Sequence, residues 1–247
     1  MASQPSTALK SLLEREPGYL VWSRDPAVGL FVVMPLWLAY ELLRNKYQPL
    51  QWNLAEHWMI QALDELPDLL YDFLLLAIIV GVVLAARSIH KRRIPWLRVG
   101  LVILLEGVVY GLMLGPVSQQ MTQHYFLLSA SPASEELIRN LIGSLGAGIY
   151  EELLFRFVLL SALGWLFFRV SETFSVPKWL GAVAAILVSS LLFSLFHYNL
   201  PQAFEPRVFV FRTMAGILLG VLFLVRGIGV CVYTHAMYDV FLYLDEP

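Results

Sequence analysis

The sequence predicts an all-α protein of the polytopic integral membrane class. We expect a bundle of about seven (six to eight) transmembrane helices plus one amphipathic interfacial helix. Three observations carry this expectation. Of 247 residues, 58% are hydrophobic and 15% charged, against about 45–50% and about 25% in soluble domains. The apolar excess is gathered into blocks of about 17–25 residues, the length of a bilayer-spanning helix. The blocks run without alternation, which excludes a transmembrane barrel. In lipid only helices and closed barrels satisfy their backbone polar groups internally.

Residues 1–26 carry Lys10, Glu14, Arg15, Glu16, Arg24 and Asp25 with no apolar core, so no cleavable signal peptide is expected there. Spans follow at Ala27–Leu43, Leu69–Ala86, Leu97–Val117, Leu137–Phe168, Trp179–Tyr198, Val208–Val225 and Ile228–Leu244. The fourth holds 32 residues, about 48 Å of helix at 1.5 Å per residue, so it must tilt, protrude or begin along the surface. Between the first two spans, "LAEHWMIQALDEL" puts Leu54, Trp58, Ala62, Leu63 and Leu66 on one helical face. Glu56, Gln61, Asp64 and Glu65 fall on the other, the pattern of an interfacial helix. Trp22, Trp52, Trp96 and Trp179 fall at span edges, where tryptophan anchors at headgroup level.

The net charge of −2 is uninformative, whereas its distribution orients the chain. The stretch "RSIHKRRIPWLR" carries Arg87, Lys91, Arg92, Arg93 and Arg98, so the positive-inside rule makes it cytoplasmic. With seven spans the N-terminus and the Arg169–Lys178 loop share that side. This is the expected arrangement of an inner-membrane protein of a bacterium. Cys231 is the single cysteine, which excludes an intramolecular disulfide and a thiolate metal site. No repeat or soluble linker divides the chain. It reads as a cytoplasmic segment, residues 1–26, and one membrane domain, residues 27–247.

The last four spans hold groups that are costly in a bilayer, roughly 2.5–3.5 kcal/mol each on insertion scales. "GAGIYEELLFRFVLL" places Glu151, Glu152 and Arg156 in the fourth span. "LLFSLFHYNLP" places Phe193 and His197 near the end of the fifth, and "CVYTHAMYDVF" places His235 and Asp239 within the seventh. Glu152 and Arg156 are i and i+4, neighbours on one helical face, so Arg156 neutralises Glu152. Glu151 lies about 100° around the helix, without a local cation, and is the candidate base. Asp239, four residues beyond His235, is placed to accept a hydrogen bond from its ring and fix the tautomer. A carboxylate base, two histidines and an orienting carboxylate suffice to activate water and stabilise an oxyanion. Glu106 is also intramembrane and reads as structural, or as a protonated carboxylate hydrogen-bonded to Tyr110. Glu135, Glu136 and Arg139 follow the polar stretch "SASPAS" and read as a solvated helix start capped by Ser131 or Ser134.

Glu151-Glu152-x-x-x-Arg156, Phe193-x-x-x-His197 and His235-x-x-x-Asp239, in this order on separate membrane helices, resemble the three motifs of the CPBP family. That family comprises the type II CAAX prenyl endopeptidases and the bacteriocin-processing or Abi-type proteins, with a myxosortase-like branch. The resemblance covers roughly residues 137–244 and implies an intramembrane protease core there. It implies that Glu151 and His197 activate water, and that His235 and the residue four beyond it hold the oxyanion or orient substrate. The third motif commonly ends in Asn. Asp239 when ionised cannot donate a hydrogen bond, which favours the orienting role.

The signatures of other intramembrane proteases are missing. No H-E-x-x-H marks a zinc enzyme, Gly143-Ser144-Leu145-Gly146 is not the rhomboid pattern, and no Gly-x-Gly-Asp occurs. Glu151, His197 and His235 could form a zinc site with an open position. The same residues serve a metal-free glutamate mechanism, which is the expectation here. Expected partners are a membrane-associated protein or peptide substrate and the bilayer, with no nucleic acid. Two other functional classes remain: a transporter or proton relay using the intramembrane Glu and His groups, and a catalytically silent scaffold or immunity protein.

Overall fold

The computed structural model describes residues 18–47, 53–122, 134–199 and 204–244. Every regular element among them is helical. A single turn, α1 (Tyr19–Trp22), leads into α2 (Pro26–Tyr47). Asp25 starts α2: its Oδ1 accepts from the backbone N–H of Ala27 at 3.0 Å and of Val28 at 3.3 Å, and proline follows at the first helical position. Arg92 also hydrogen-bonds Asp25, holding its carboxyl below the usual carboxylate range. The chain continues through α3 (Leu54–Asp64), α4 (Asp68–Lys91) and α5 (Trp96–Thr122). After the next described stretch begins come α6 (Ser134–Glu152), a π-helical segment over Leu153–Leu160, and α7 (Ser161–Thr173). Then follow α8 (Lys178–Phe196) with a 3₁₀ turn over His197–Asn199, α9 (Pro206–Arg226) and α10 (Ile228–Leu244).

Among the described residues, five helices are long and apolar enough to cross a membrane: Pro26–Tyr47, Trp96–Met121, Glu136–Thr173, Lys178–Phe196 and Pro206–Arg226. Ile228–Leu244 is apolar and shorter, at 17 residues, and α4 coincides with the expected second span. The protein is a polytopic helical membrane bundle. Its exterior carries exposed Leu105, Leu112, Trp165, Leu187 and Leu195, as a surface in contact with lipid tails requires. Trp96 and Trp179 stand at the first turns of α5 and α8. Trp52, Ser131 and residues 1–17 lie outside the described residues, and Glu136 is exposed at the start of α6.

Packing corrects two expectations, and the fourth span is longer than expected. The fourth span is one 38-residue run, Glu136–Thr173, whose middle is π-helical. In the interfacial helix α3, Glu56 does not face solvent. It is fully buried and accepts from the Tyr40 hydroxyl and the Arg44 guanidinium, both on α2. Local periodicity placed Glu56 on a polar face, but a cation on another helix captures it. Trp58 of the expected apolar face is half exposed, with its ring edge-on to Phe196 at 5.2 Å. Glu106 is structural, yet its partners are Arg226 and the Tyr19 hydroxyl, each at 2.6 Å, and Tyr110 is not among its hydrogen-bond partners in the described residues.

The centre of the bundle is α10, in which every residue from Gly229 to Ala236 is buried. It packs between α5 and α6, and both neighbours approach through glycine. A Cβ at Gly107 of α5 would stand 2.4 Å from Tyr233 Cβ, and one at Gly148 of α6 would stand 2.6 Å from Ala236 Cβ and backbone N. Between membrane helices attraction comes from close packing, so small residues at the seam set helix separation. Gly148 therefore brings the end of α6 against the His235 turn of α10. Replacing Gly148 with Leu should force the two helices apart, at about 1–3 kcal/mol or more. Thermal unfolding in detergent should show a lower midpoint for Gly148→Leu, while Gly164→Leu, which enters open space, should match the parent.

Candidate active site

The site is built where the end of α6, the π segment, the end of α8 and the middle of α10 meet. Glu151 and Glu152 are the last residues of α6, and Arg156 lies in the π segment. Such segments widen the helix locally and recur at functional sites. Their displaced carbonyls need partners, and the Ser189 hydroxyl of α8 donates to Phe155 O at 2.9 Å. His197 follows α8, whose Phe193 carbonyl meets its Nδ1 at 2.8 Å. Gly148 sets His235 beside Glu152 from the other side.

The expected Glu152–Arg156 pair forms, with Nε to Oε2 at 3.2 Å, and both side chains are sealed off at 0% and 1% exposure. Glu152 has further duties. Its Oε1 lies 2.7 Å from His235 Nδ1, and its Oε2 accepts the Cys231 thiol at 2.8 Å. Arg156 in turn lies over the Phe193 ring, 4.4 Å from the centroid, and reaches Gly216 O at 3.4 Å. Phe193 is the packing hub, edge-on to His197 at 4.9 Å, to His235 at 6.0 Å and to Phe155 at 5.3 Å.

Glu151 faces a different environment. Its Oε2 lies 3.6 Å from His197 Nε2 and 3.9 Å from His235 Nε2. With 8% exposure for Glu151 and 22% for His197, this edge, and not the sealed Glu152 pair, is the one a water or substrate can reach. All six residues singled out from the sequence, Glu151, Glu152, Arg156, His197, His235 and Asp239, are thus gathered into one cluster.

One expected contact is corrected. Asp239 Oδ2 stands 3.6 Å from His235 Nε2, too far for a hydrogen bond. The carboxylate that orients His235 is Glu152, on Nδ1. Spacing within α10 makes Asp239 a neighbour of the ring, but the glycine seam brings Glu152 closer. Two residues escaped the sequence reading. Asn53, which caps α3, donates from Nδ2 to Glu151 Oε1 at 2.9 Å. Arg212 of α9 is near enough to Glu151 and Asp239 to feel their charge. Its guanidinium is 6.0 Å from the Tyr198 ring, and one nitrogen is buried without a hydrogen-bond partner among the described residues. The sequence Asn53-Leu-Ala-Glu56 does signal a helix cap, but nothing local links it to residue 151. Among the described residues, no three His, Cys, Asp or Glu side chains form a group arranged to hold a metal ion.

This set of groups, at the seam of the last spans of a helical membrane bundle, lies within a stretch similar to a family of known endopeptidases. Residues 132–241, a little under half of the chain, match the family described as "Type II CAAX prenyl endopeptidase Rce1-like". No curated protein and no solved structure matches the chain.

The sealed pair yields a stability prediction. Glu152→Ala or Arg156→Ala leaves an uncompensated buried charge, costing about 3–5 kcal/mol. Both variants should unfold earlier in detergent and accumulate less in membranes. The double variant Glu152→Ala/Arg156→Ala should be less destabilised than the sum of the two.

Proposed function

We propose that the protein hydrolyses a peptide bond of a membrane-associated protein or peptide with a water activated by Glu151 and His197. The observation that carries this reading is the approach of Glu151 Oε2 to the Nε2 atoms of both histidines. His197 Nδ1–H donates to the Phe193 carbonyl, so Nε2 presents a lone pair. A water making hydrogen bonds of about 2.8 Å can donate one proton to Glu151 Oε2 and one to His197 Nε2. Its own lone pair then faces the scissile carbonyl. As the oxygen attacks the carbonyl carbon, Glu151 takes a proton. When the C–N bond breaks, Glu151 returns that proton to the leaving amine. His235 has carboxylate oxygens toward both ring nitrogens. As an imidazolium it donates Nε2–H to the oxyanion.

We further propose that this chemistry needs no metal, since the side chains present are sufficient for each proton transfer. The family's description points to C-termini of the CAAX kind, in which a cysteine three residues from the end carries the lipid. A substrate of that form is held by its lipid at the membrane surface, the setting of a bundle with an interfacial helix. We place the protein in a bacterial inner membrane with its N-terminus in the cytoplasm, following its positive charges.

Two measurements test this reading. Purified wild-type protein in liposomes should cleave a prenylated peptide ending in Cys and three further residues, or its unmodified membrane-anchored counterpart. Glu151→Gln should keep the parental unfolding midpoint and lose at least about a hundredfold in rate, the scale of general-base catalysis. Equal cleavage by Glu151→Gln would exclude the mechanism, and loss of cleavage with the fold intact would exclude a silent scaffold. Elemental analysis should find no stoichiometric zinc, and chelation should leave the rate unchanged. About one zinc per chain, with activity lost on removal and restored on readdition, would make Glu151, His197 and His235 its ligands instead.

A further inference from the structure

We infer that Asn53, on the interfacial helix and 98 residues from its partner, is a positioning residue for the catalytic carboxylate, so that α3 is part of the active site. The inference rests on the proposed role of Glu151. The Asn53 amide is committed at both ends. Its Oδ1 accepts from the N–H groups of Ala55 at 2.9 Å and Glu56 at 3.2 Å, which caps α3. Its Nδ2 donates to Glu151 Oε1 at 2.9 Å. An amide whose oxygen is claimed by two backbone donors can present only its nitrogen on the other side, so the network assigns its orientation.

The consequence for Glu151 is geometric. Rotation of a glutamate carboxylate about its last torsion is soft and roughly two-fold. A lone carboxylate therefore presents its oxygens over a wide range of angles. With Oε1 tied to Asn53, the plane is set and Oε2 is the oxygen turned toward His197 and His235.

Asn53 is itself held in place by the body of the protein. Glu56, one turn on, is anchored to Tyr40 and Arg44 of α2. Ala55 is buried in the cluster of Phe155, Phe193 and Phe196. Two anchors on α3 thus fix the cap residue against α6. The hydrophobic pattern of α3 explains neither: an interfacial helix needs no asparagine aimed at a membrane-embedded carboxylate.

Capping and positioning are separable by substitution. Ser and Asp at position 53 keep a side-chain oxygen for the cap but lose the amide N–H, and Ala loses both. Full-length protein in liposomes is assayed for kcat and KM on the two reporters named above, alongside unfolding midpoints in detergent. The expected result is that Asn53→Ser unfolds with the parent, holds KM and loses about ten- to a hundredfold in kcat, while Asn53→Asp, whose carboxylate stands against that of Glu151, loses at least as much and unfolds earlier. Combining Asn53→Ser with Glu151→Gln should lower the rate no further than Glu151→Gln alone, the non-additivity of a residue that acts through Glu151. If Asn53→Ser and Asn53→Asp match the parental kcat while Glu151→Gln is inactive, Asn53 is only a helix cap. The inference then fails and the proposed mechanism stands. If wild type and Glu151→Gln behave alike on both reporters, the proposed mechanism fails and takes the inference with it.

Discussion

The Glu152 carboxylate is the constraint on which the rest of this site depends. A fully buried ion in a membrane bundle is tolerated only when its charge and its lone pairs are both met. Glu152 meets this through three donors on two elements: Arg156 Nε from its own helix, and His235 Nδ1 and the Cys231 thiol from α10. Satisfying one carboxylate therefore fixes the rotation and depth of α10 against α6. It also turns the other nitrogen of His235 toward Glu151 and Asp239.

That arrangement puts two adjacent carboxylates in different surroundings. Glu152 is sealed and fully paired, so it serves structure. Glu151, one residue earlier, points to the less buried edge shared with His197. The difference comes from the roughly 100° turn between successive helical residues and from the π-helical segment that follows. Phe193 completes the division. Its face carries the Arg156 guanidinium, and it meets both imidazole rings edge-on.

Much of this was legible in the chain because the signals were local. Hydropathy blocks located the spans, since the length of an apolar run in a bilayer is set by bilayer thickness. Spacing of four residues identified the Glu152–Arg156 pair, because it is a property of one helix. The same reasoning misassigned Asp239. It lies one turn beyond His235, but neighbours on one helix compete with residues brought in from another. Glu56 and Glu106 taught the same lesson. Each was read against its own helix, as a solvent-facing acid and as a partner of Tyr110, and each is satisfied by an arginine from elsewhere in the bundle.

The sequence by itself determined that the protein is a helical membrane bundle, where its spans run, and which polar groups lie within the apolar interior. These follow from transfer free energy and helical periodicity, which act over a few residues. Only the tertiary structure decided which group each one meets. The His235–Glu152 and Asn53–Glu151 contacts join residues 83 and 98 positions apart. Whether such pairs form depends on helix rotation, depth and separation to within an ångström. Those quantities are set by close approach at Gly107 and Gly148 and by the need to satisfy every buried charge, and neither is a property of any single stretch of chain.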